Sequence, residues 1–458
     1  MAGILSKERI VAGPGFNRWL VPPAALAIHL SIGQAYAFSV FNLPLSKLEG
    51  ITESGPGDWK LTTLGWIFTL AIVFLGLSAA TFGKWLERVG PRKAGVVAAC
   101  CWGSGFMIAA VGVELHQIWL LYLGYGVIGG IGLGIGYISP VSTLIKWFPD
   151  RRGMATGMAI MGFGGGALIG APLADALMKH YATPTSLGVS HTFITMGAIY
   201  FVFMLCGAFG YRLPPTDWKP AGWTPVVHKG EMITRRHVNV SEAWKTPQFW
   251  FLWMVLCMNV SAGIGVLGQA SPMIQEVFRG RVTASAAAGF VGLLSLANIA
   301  GRIGWASFSD YLGRKRTYLI FFSLGTLLYA LAPTAGKLGN VVLFVLIFCV
   351  ILTMYGGGFA TIPAYLADIF GTQFVGAIHG RLLTAWSTAG VLGPVLVNYL
   401  RQYQIDHGVA KADAYNFTMY VLAGLLVVGF FSNLAVRPVA ERHYMSDQEL
   451  AAERAAVR

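Results

Sequence analysis

Twelve apolar runs, each about 20 residues or longer, stand between short charged or turn-rich breaks. They cover 19–45, 61–83, 94–112, 118–145, 154–177 and 191–211, then 247–270, 285–309, 317–335, 339–367, 375–400 and 416–436. A helix crossing the hydrocarbon of a bilayer needs about 20 such residues, since lipid offers its backbone no other hydrogen-bond partner. Charged residues make up only 12% of the 458 positions, against about 25% in an average soluble domain, too few to cover a soluble surface. The 58 glycines suit membrane helices whose backbones approach closely. The expected fold is an all-α polytopic membrane protein with twelve transmembrane helices. The first run is too long for a signal-peptide core and has no A-x-A-like site after it, so it reads as the first span.

A net charge of +13 would suit nucleic acid if it formed one patch. Instead the basic residues fall in short clusters between apolar runs, where they orient a membrane protein. With both termini cytoplasmic, 23 of the 33 Lys and Arg residues lie inside and 8 outside, and Arg302 and Arg381 fall within spans. This bias predicts an integral protein of the plasma (inner) membrane with both ends in the cytoplasm. Cys100, Cys101, Cys206, Cys257 and Cys349 all lie in apolar runs with no CxxC, so neither a disulfide framework nor a metal site is expected. Gly162-Phe-Gly-Gly-Gly-Ala167 matches a dinucleotide fingerprint in form only, because it sits within an apolar span. No Walker motif appears. No cofactor, nucleic-acid partner or enzymatic cluster is expected.

The chain repeats itself. Gly83-Lys-Trp-Leu-Glu87-Arg88-Val-Gly90-Pro-Arg92-Lys93 links spans two and three, and Asp310-Tyr-Leu-Gly313-Arg314-Lys315-Arg316 links spans eight and nine. Gly136 to Pro140, leading to Phe148, is echoed by Gly358 to Pro363, leading to Phe370. These repeats predict two six-helix pseudo-repeat halves, 1–211 and 247–436, with a cytoplasmic central loop 212–246 and a cytoplasmic tail 437–458. Two such halves around a midplane site are the build of many secondary transporters. On the paired loops the chain resembles the major facilitator superfamily. Tyr36–Phe41, Trp147–Gly157, Met161–Gly166 and Asn298–Arg302 make it similar, within that superfamily, to the oxalate/formate antiporter family.

Arg302 is the leading candidate residue. It lies eight residues before Asp310, so roughly 12 Å inside the boundary at ~1.5 Å per residue, farther than a snorkelling side chain reaches. An arginine at that depth costs about 2.5–3.5 kcal/mol and needs a reason. Asn298 and Ser295 continue a polar stripe one and two turns away. A guanidinium there would grip a carboxylate by two parallel hydrogen bonds, and structural pairing is the other reading. The resemblance implies the first, because that family uses an arginine at this place. Its oxalate exchanger also carries a lysine midway along span eleven, where this chain has Trp386. One central cation favours a small monocarboxylate such as formate, lactate or pyruvate over a dianion.

The resemblance further implies an aromatic box of Tyr36, Tyr137, Tyr355, Phe359 and Trp386, with Gln34 as a weaker member. All 20 acidic residues lie in loops or at span ends, so a protein-borne proton would have to use His29 or His379. Anion exchange would need neither. Gly83, Glu87, Arg88, Gly90, Arg92, Asp310, Gly313 and Arg314 are expected to gate the helix ends. The expected function is secondary active transport of a small organic anion by alternating access, as exchanger or proton-linked symporter, by a monomer in the bilayer. The rival readings are the same fold moving another solute, and a membrane sensor working through 212–246 or the tail.

Overall fold

The computed structural model describes residues 3–216, 218–223 and 232–456, so 224–231 of the expected central loop lie outside the described residues. Among the described residues, twelve helices of 13 residues or more run in chain order. The first six are α1 (Val21–Gly33), α2 (Leu61–Val89), α3 (Pro91–Glu114), α4 (Gly130–Trp147), α5 (Arg152–Tyr181) and α6 (Val189–Gly210). The second six are α7 (Pro247–Val277), α8 (Ala284–Leu312), α9 (Arg314–Lys337), α10 (Val341–Phe370), α11 (Thr384–Asp406) and α12 (Asn416–Ala435).

Among the described residues ten helical segments are long and apolar enough to cross a membrane. The two long helices outside that number, α8 and α11, carry more polar residues: Arg302 and Asp310 in α8, and Arg401 to Asp406 in α11. The eleventh run is also not continuous. A short helix, Val375–Leu382, precedes α11, and the chain turns at Leu383, whose N–H is shared between the His379 and Gly380 carbonyls. Two other runs depart from plain α-helix. Gln34–Phe41 prolongs α1 as a 3₁₀ segment, and Tyr122–Gly129 enters α4 with π-helical pairing.

Within the first six helices α3 packs on α6, α1 on α5 and α2 on α4. Within the second six α8 packs on α10, α7 on α11 and α9 on α12. Between the two sets α5 meets α8 and α10, while α2 meets the 375–382 helix and α11. Small residues set these approaches. A Cβ on Gly83 would stand 2.6 Å from the Ala377 Cα, so α2 and the 375–382 helix touch backbone to backbone only with glycine there.

One end of the bundle collects both chain termini, and we call it the terminal face. Ala12 and Leu213 exchange backbone bonds with Leu213 and Ile10, and Val238 pairs with Tyr444. Thr234 and Val238 donate to the Asp368 and Phe370 carbonyls, which ties the central segment to the end of α10. At the opposite end Arg401 pairs with Glu276 at 2.5 Å, and the Asp58 carboxylate collects the N–H groups of Glu49, Gly50 and Gly55.

Candidate functional site

α8 carries Arg302 to the centre of the bundle, where it is fully buried. Its Nε donates to Asn298 Oδ1 at 3.1 Å, one turn away on the same face. Its Nη1 crosses between the two helix sets and donates to the Ile160 carbonyl of α5 at 3.0 Å. Its Nη2 has no hydrogen-bond partner, and its charge lies over the Phe359 ring, 5.5 Å from the centroid. The side chain therefore does not snorkel. Ser295, the outer end of the expected stripe, bonds the Val291 carbonyl of its own helix instead.

Trp386 of α11 is the hub of the aromatic group. Its ring lies 4.5 Å from Phe359, 5.3 Å from Tyr137, 5.3 Å from Phe163 and 6.3 Å from Tyr36. Tyr355 joins through Phe359, one turn along α10, at 5.3 Å. The hydroxyls of Tyr36, Tyr137 and Tyr355 stand within the field of the Arg302 charge, and those of Tyr36 and Tyr355 also lie close to each other. Those three hydroxyls, Trp386 Nε1 and Arg302 Nη2 are all buried and unpartnered. The open Nη2 of the one cation thus stands with four other buried donors, and no carboxylate from the spans joins them among the described residues, an arrangement able to accept the oxygens of an anion. The aromatic rings exclude water, which strengthens each of those bonds.

Not every expected member joins the box. Gln34 is buried but turned toward Tyr125, whose hydroxyl donates to its Oε1 at 3.0 Å, and toward Gly170. Arg381 donates to the Val240 carbonyl and stacks over Trp244, which holds it at the edge near the central segment. His29 lies 5.1 Å from the Tyr137 ring, and His379 lies 5.9 Å from it. Two residues enter unforeseen. Phe163 contacts Tyr36 at 4.9 Å and Trp386, and its only sequence signal is its place within the glycine run at 162–166. Asn259 stands behind Tyr355, its Oδ1 buried without a partner.

The paired loops close the terminal face unequally. Gly90 and Gly313 turn there with φ of 84° and 88°, a backbone that favours glycine. Asp310 accepts from the Gly153 and Met154 N–H groups at 2.8 and 2.9 Å, so the second set caps the N-terminus of α5 in the first. Arg314 binds both Asp310 and Asp368, and Asp368 in turn holds Arg152 at 2.8 Å. Glu87, the counterpart of Asp310, stays within its own set on Lys146 and Ser142. Arg92 binds the carbonyls of Ile4, Phe209 and Tyr211, and Arg88 is exposed.

A cavity of about 540 Å³ lies outside this closure, lined in part by Lys7, Lys146, Arg152 and Trp218, and not at Arg302. Burial, followed by the charge of Lys146, holds the Lys7 ammonium below its usual range. Asp310→Asn keeps the shape of the cap and removes its charge, at an expected cost to closure of about 1–2 kcal/mol. An Ala360→Cys thiol, buried at this seam, should then react roughly tenfold faster with a soluble maleimide. An unchanged rate would show that Asp310 does not hold the face shut.

The fold and site are those of a membrane transporter, with a buried arginine and an aromatic group between its two helix sets. Residues 15–394 match the model of the Major Facilitator Superfamily, and the chain belongs to that family. It is 27% identical to the oxalate:formate antiporter of Oxalobacter formigenes over 82% of this chain and 83% of that protein. It is 25% identical to apicoplast pyruvate carrier 1 of Toxoplasma gondii, covering 71% and 68%, and 25% identical to human monocarboxylate transporter 11, covering 85% and 79%. Among solved structures it is similar to the Escherichia coli fucose:proton symporter FucP, with a TM-score of 0.64 and 13% identity over 92% of this chain and all of that one. That last likeness is one of fold alone. The chain is a transporter and not an enzyme, as expected, and it resembles the oxalate/formate antiporter family.

Proposed function

We propose that this protein carries small monocarboxylates, of the size of formate, lactate or pyruvate, across the plasma (inner) membrane by alternating access. The observation that carries the reading is the buried Arg302 guanidinium, with an open Nη2 among four other unpartnered donors. The carboxylate sits between Arg302 and the hydroxyls of Tyr36, Tyr137 and Tyr355, with its small apolar remainder against Trp386, Phe163 and Phe359. Asn298 orients the guanidinium through Nε. The halves 1–211 and 247–436 rock about this site, and the terminal face, with 212–246 and 437–458, lies in the cytoplasm. One chain suffices.

The relatives that transport oxalate and formate, pyruvate or monocarboxylates support the substrate class. Trp386 favours the single negative charge, since a second carboxylate would enter an apolar wall unpaired. Counterflow in proteoliposomes tests the reading: vesicles preloaded with an unlabelled monocarboxylate should take up its labelled form faster than empty vesicles. A sensor would move none of them. Movement of a neutral solute with no response to any acid would leave Arg302 a structural residue.

A further inference from the structure

Arg302 is not the only side chain that grips the backbone of α5. His29 of α1 is fully buried, with Nδ1 2.5 Å from the Ala159 carbonyl oxygen and Nε2 3.1 Å from the Tyr137 carbonyl oxygen. Ala159 is the residue before Ile160, whose carbonyl takes Arg302 Nη1. The two side chains thus reach successive carbonyls of one helix, His29 from within the first helix set and Arg302 from the second. The glycine run makes room for both. A Cβ on Gly162 would lie 3.0 Å from the His29 Cβ, and one on Gly164 would lie 3.3 Å from Arg302 Nε.

A neutral imidazole has one N–H and one bare nitrogen. With acceptor oxygens at both nitrogens, one tautomer or the other turns a lone pair on a carbonyl. Only the imidazolium donates to both. His379 differs, because neither of its ring nitrogens has a partner. Around His29, α4 supplies Tyr137, α8 supplies Arg302 and the 375–382 helix supplies His379. α5 supplies Phe163 and backbone, and α6 meets α1 through Gly207 against Ala24 and Ile28. No carboxylate faces it among the described residues.

We infer that His29 is the proton site of this transporter, taking up one proton as a carboxylate docks on Arg302 and releasing it when the carboxylate leaves. The inference rests on the carboxylate reading above. Two cations with no acid between them repel in the unliganded site, and the negative charge of a carboxylate docked on Arg302 offsets that repulsion. The charge balance then closes. The unliganded site carries Arg302 alone, and the loaded site carries Arg302, the imidazolium and one carboxylate. Both amount to a single positive charge, so the loaded and unloaded carriers meet the same electrostatic cost in crossing.

Calorimetric titration of the purified protein with pyruvate at pH 7, in two buffers of different ionisation enthalpy, tests this. A panel acid with faster counterflow can replace pyruvate. The wild type should take up about one proton per carboxylate bound. His29→Gln, or His29→Asn if the first does not fold, should bind the acid with proton uptake near zero, and His379→Gln should keep the full uptake. Carboxylate binding by wild type without proton uptake would overturn the inference, as would undiminished uptake in the His29 variants or loss of uptake in His379→Gln. If the wild type binds none of the acids, the carboxylate reading fails first.

Discussion

Purified Arg302→Gln, reconstituted into vesicles, is expected to lose carboxylate transport while still inserting and folding. The substitution removes the only cationic side chain that opens into the aromatic box among the described residues. Breaking one side of a buried charge pair costs about 3–5 kcal/mol, which is on the order of 10²–10⁴-fold in affinity. Arg302→Lys should also lose most transport. A lysine keeps the charge but has one nitrogen, which cannot serve Asn298 Oδ1, the Ile160 carbonyl and a substrate in their three directions. Arg302→Ala would add a cavity to the same loss, so the glutamine variant is the cleaner measurement. Normal uptake by Arg302→Gln would remove the anchor role outright.

The second large effect concerns the number of charges. The family resemblance implies that Trp386 stands where the oxalate exchanger has lysine, and its ring packs on Phe359, Tyr137, Phe163 and Tyr36. Wild type should therefore prefer monoanions to oxalate. Trp386→Lys should move that preference toward dianions by at least tenfold, about 1.4 kcal/mol, because the new ammonium pairs with a carboxylate otherwise left bare. Total rate should fall, since four ring contacts go with the indole. The measurement is the ratio of oxalate to formate counterflow in the two proteins. Tight oxalate binding by wild type would mean that another cation reaches the site, and Arg381 is held away from it by Val240 and Trp244.

Much of this architecture can be read from the chain because its causes are strong and local. Twenty apolar residues in a row have few folds open to them, and Gly90 and Gly313 mark turns that need a positive φ. Arg302 stands out for the same reason: a charge at that depth is costly, so its presence asks for a partner. The partners are harder to foresee. Ile160 contributes a backbone carbonyl, which no residue type announces. Phe163 is hidden because its glycine neighbours, which let α5 approach α1 and α8, suggest packing alone. Gln34 and Tyr36 fall in a 3₁₀ segment with three residues per turn, so the 3.6-residue spacing of an α-helix does not give the face of Gln34 relative to Tyr36. Asp368 was legible in principle, since it stands two residues before Phe370 as Lys146 stands two before Phe148. The repeat thus marks the position, and the aspartate there accepts Arg152 from the other set, whereas Lys146 stays on Glu87 of its own set.

The most direct measurement is the distance between the bound carboxylate and Arg302. Solid-state dipolar recoupling between pyruvate labelled with ¹³C at its carboxyl and protein labelled with ¹⁵N at arginine reads it in a membrane. The predicted result is one guanidinium within about 4 Å of the carboxyl carbon, as hydrogen bonding to Nη2 requires, and loss of that coupling in Arg302→Gln. Saturable pyruvate binding with no arginine coupling, or with a coupling that survives in Arg302→Gln, would contradict the site.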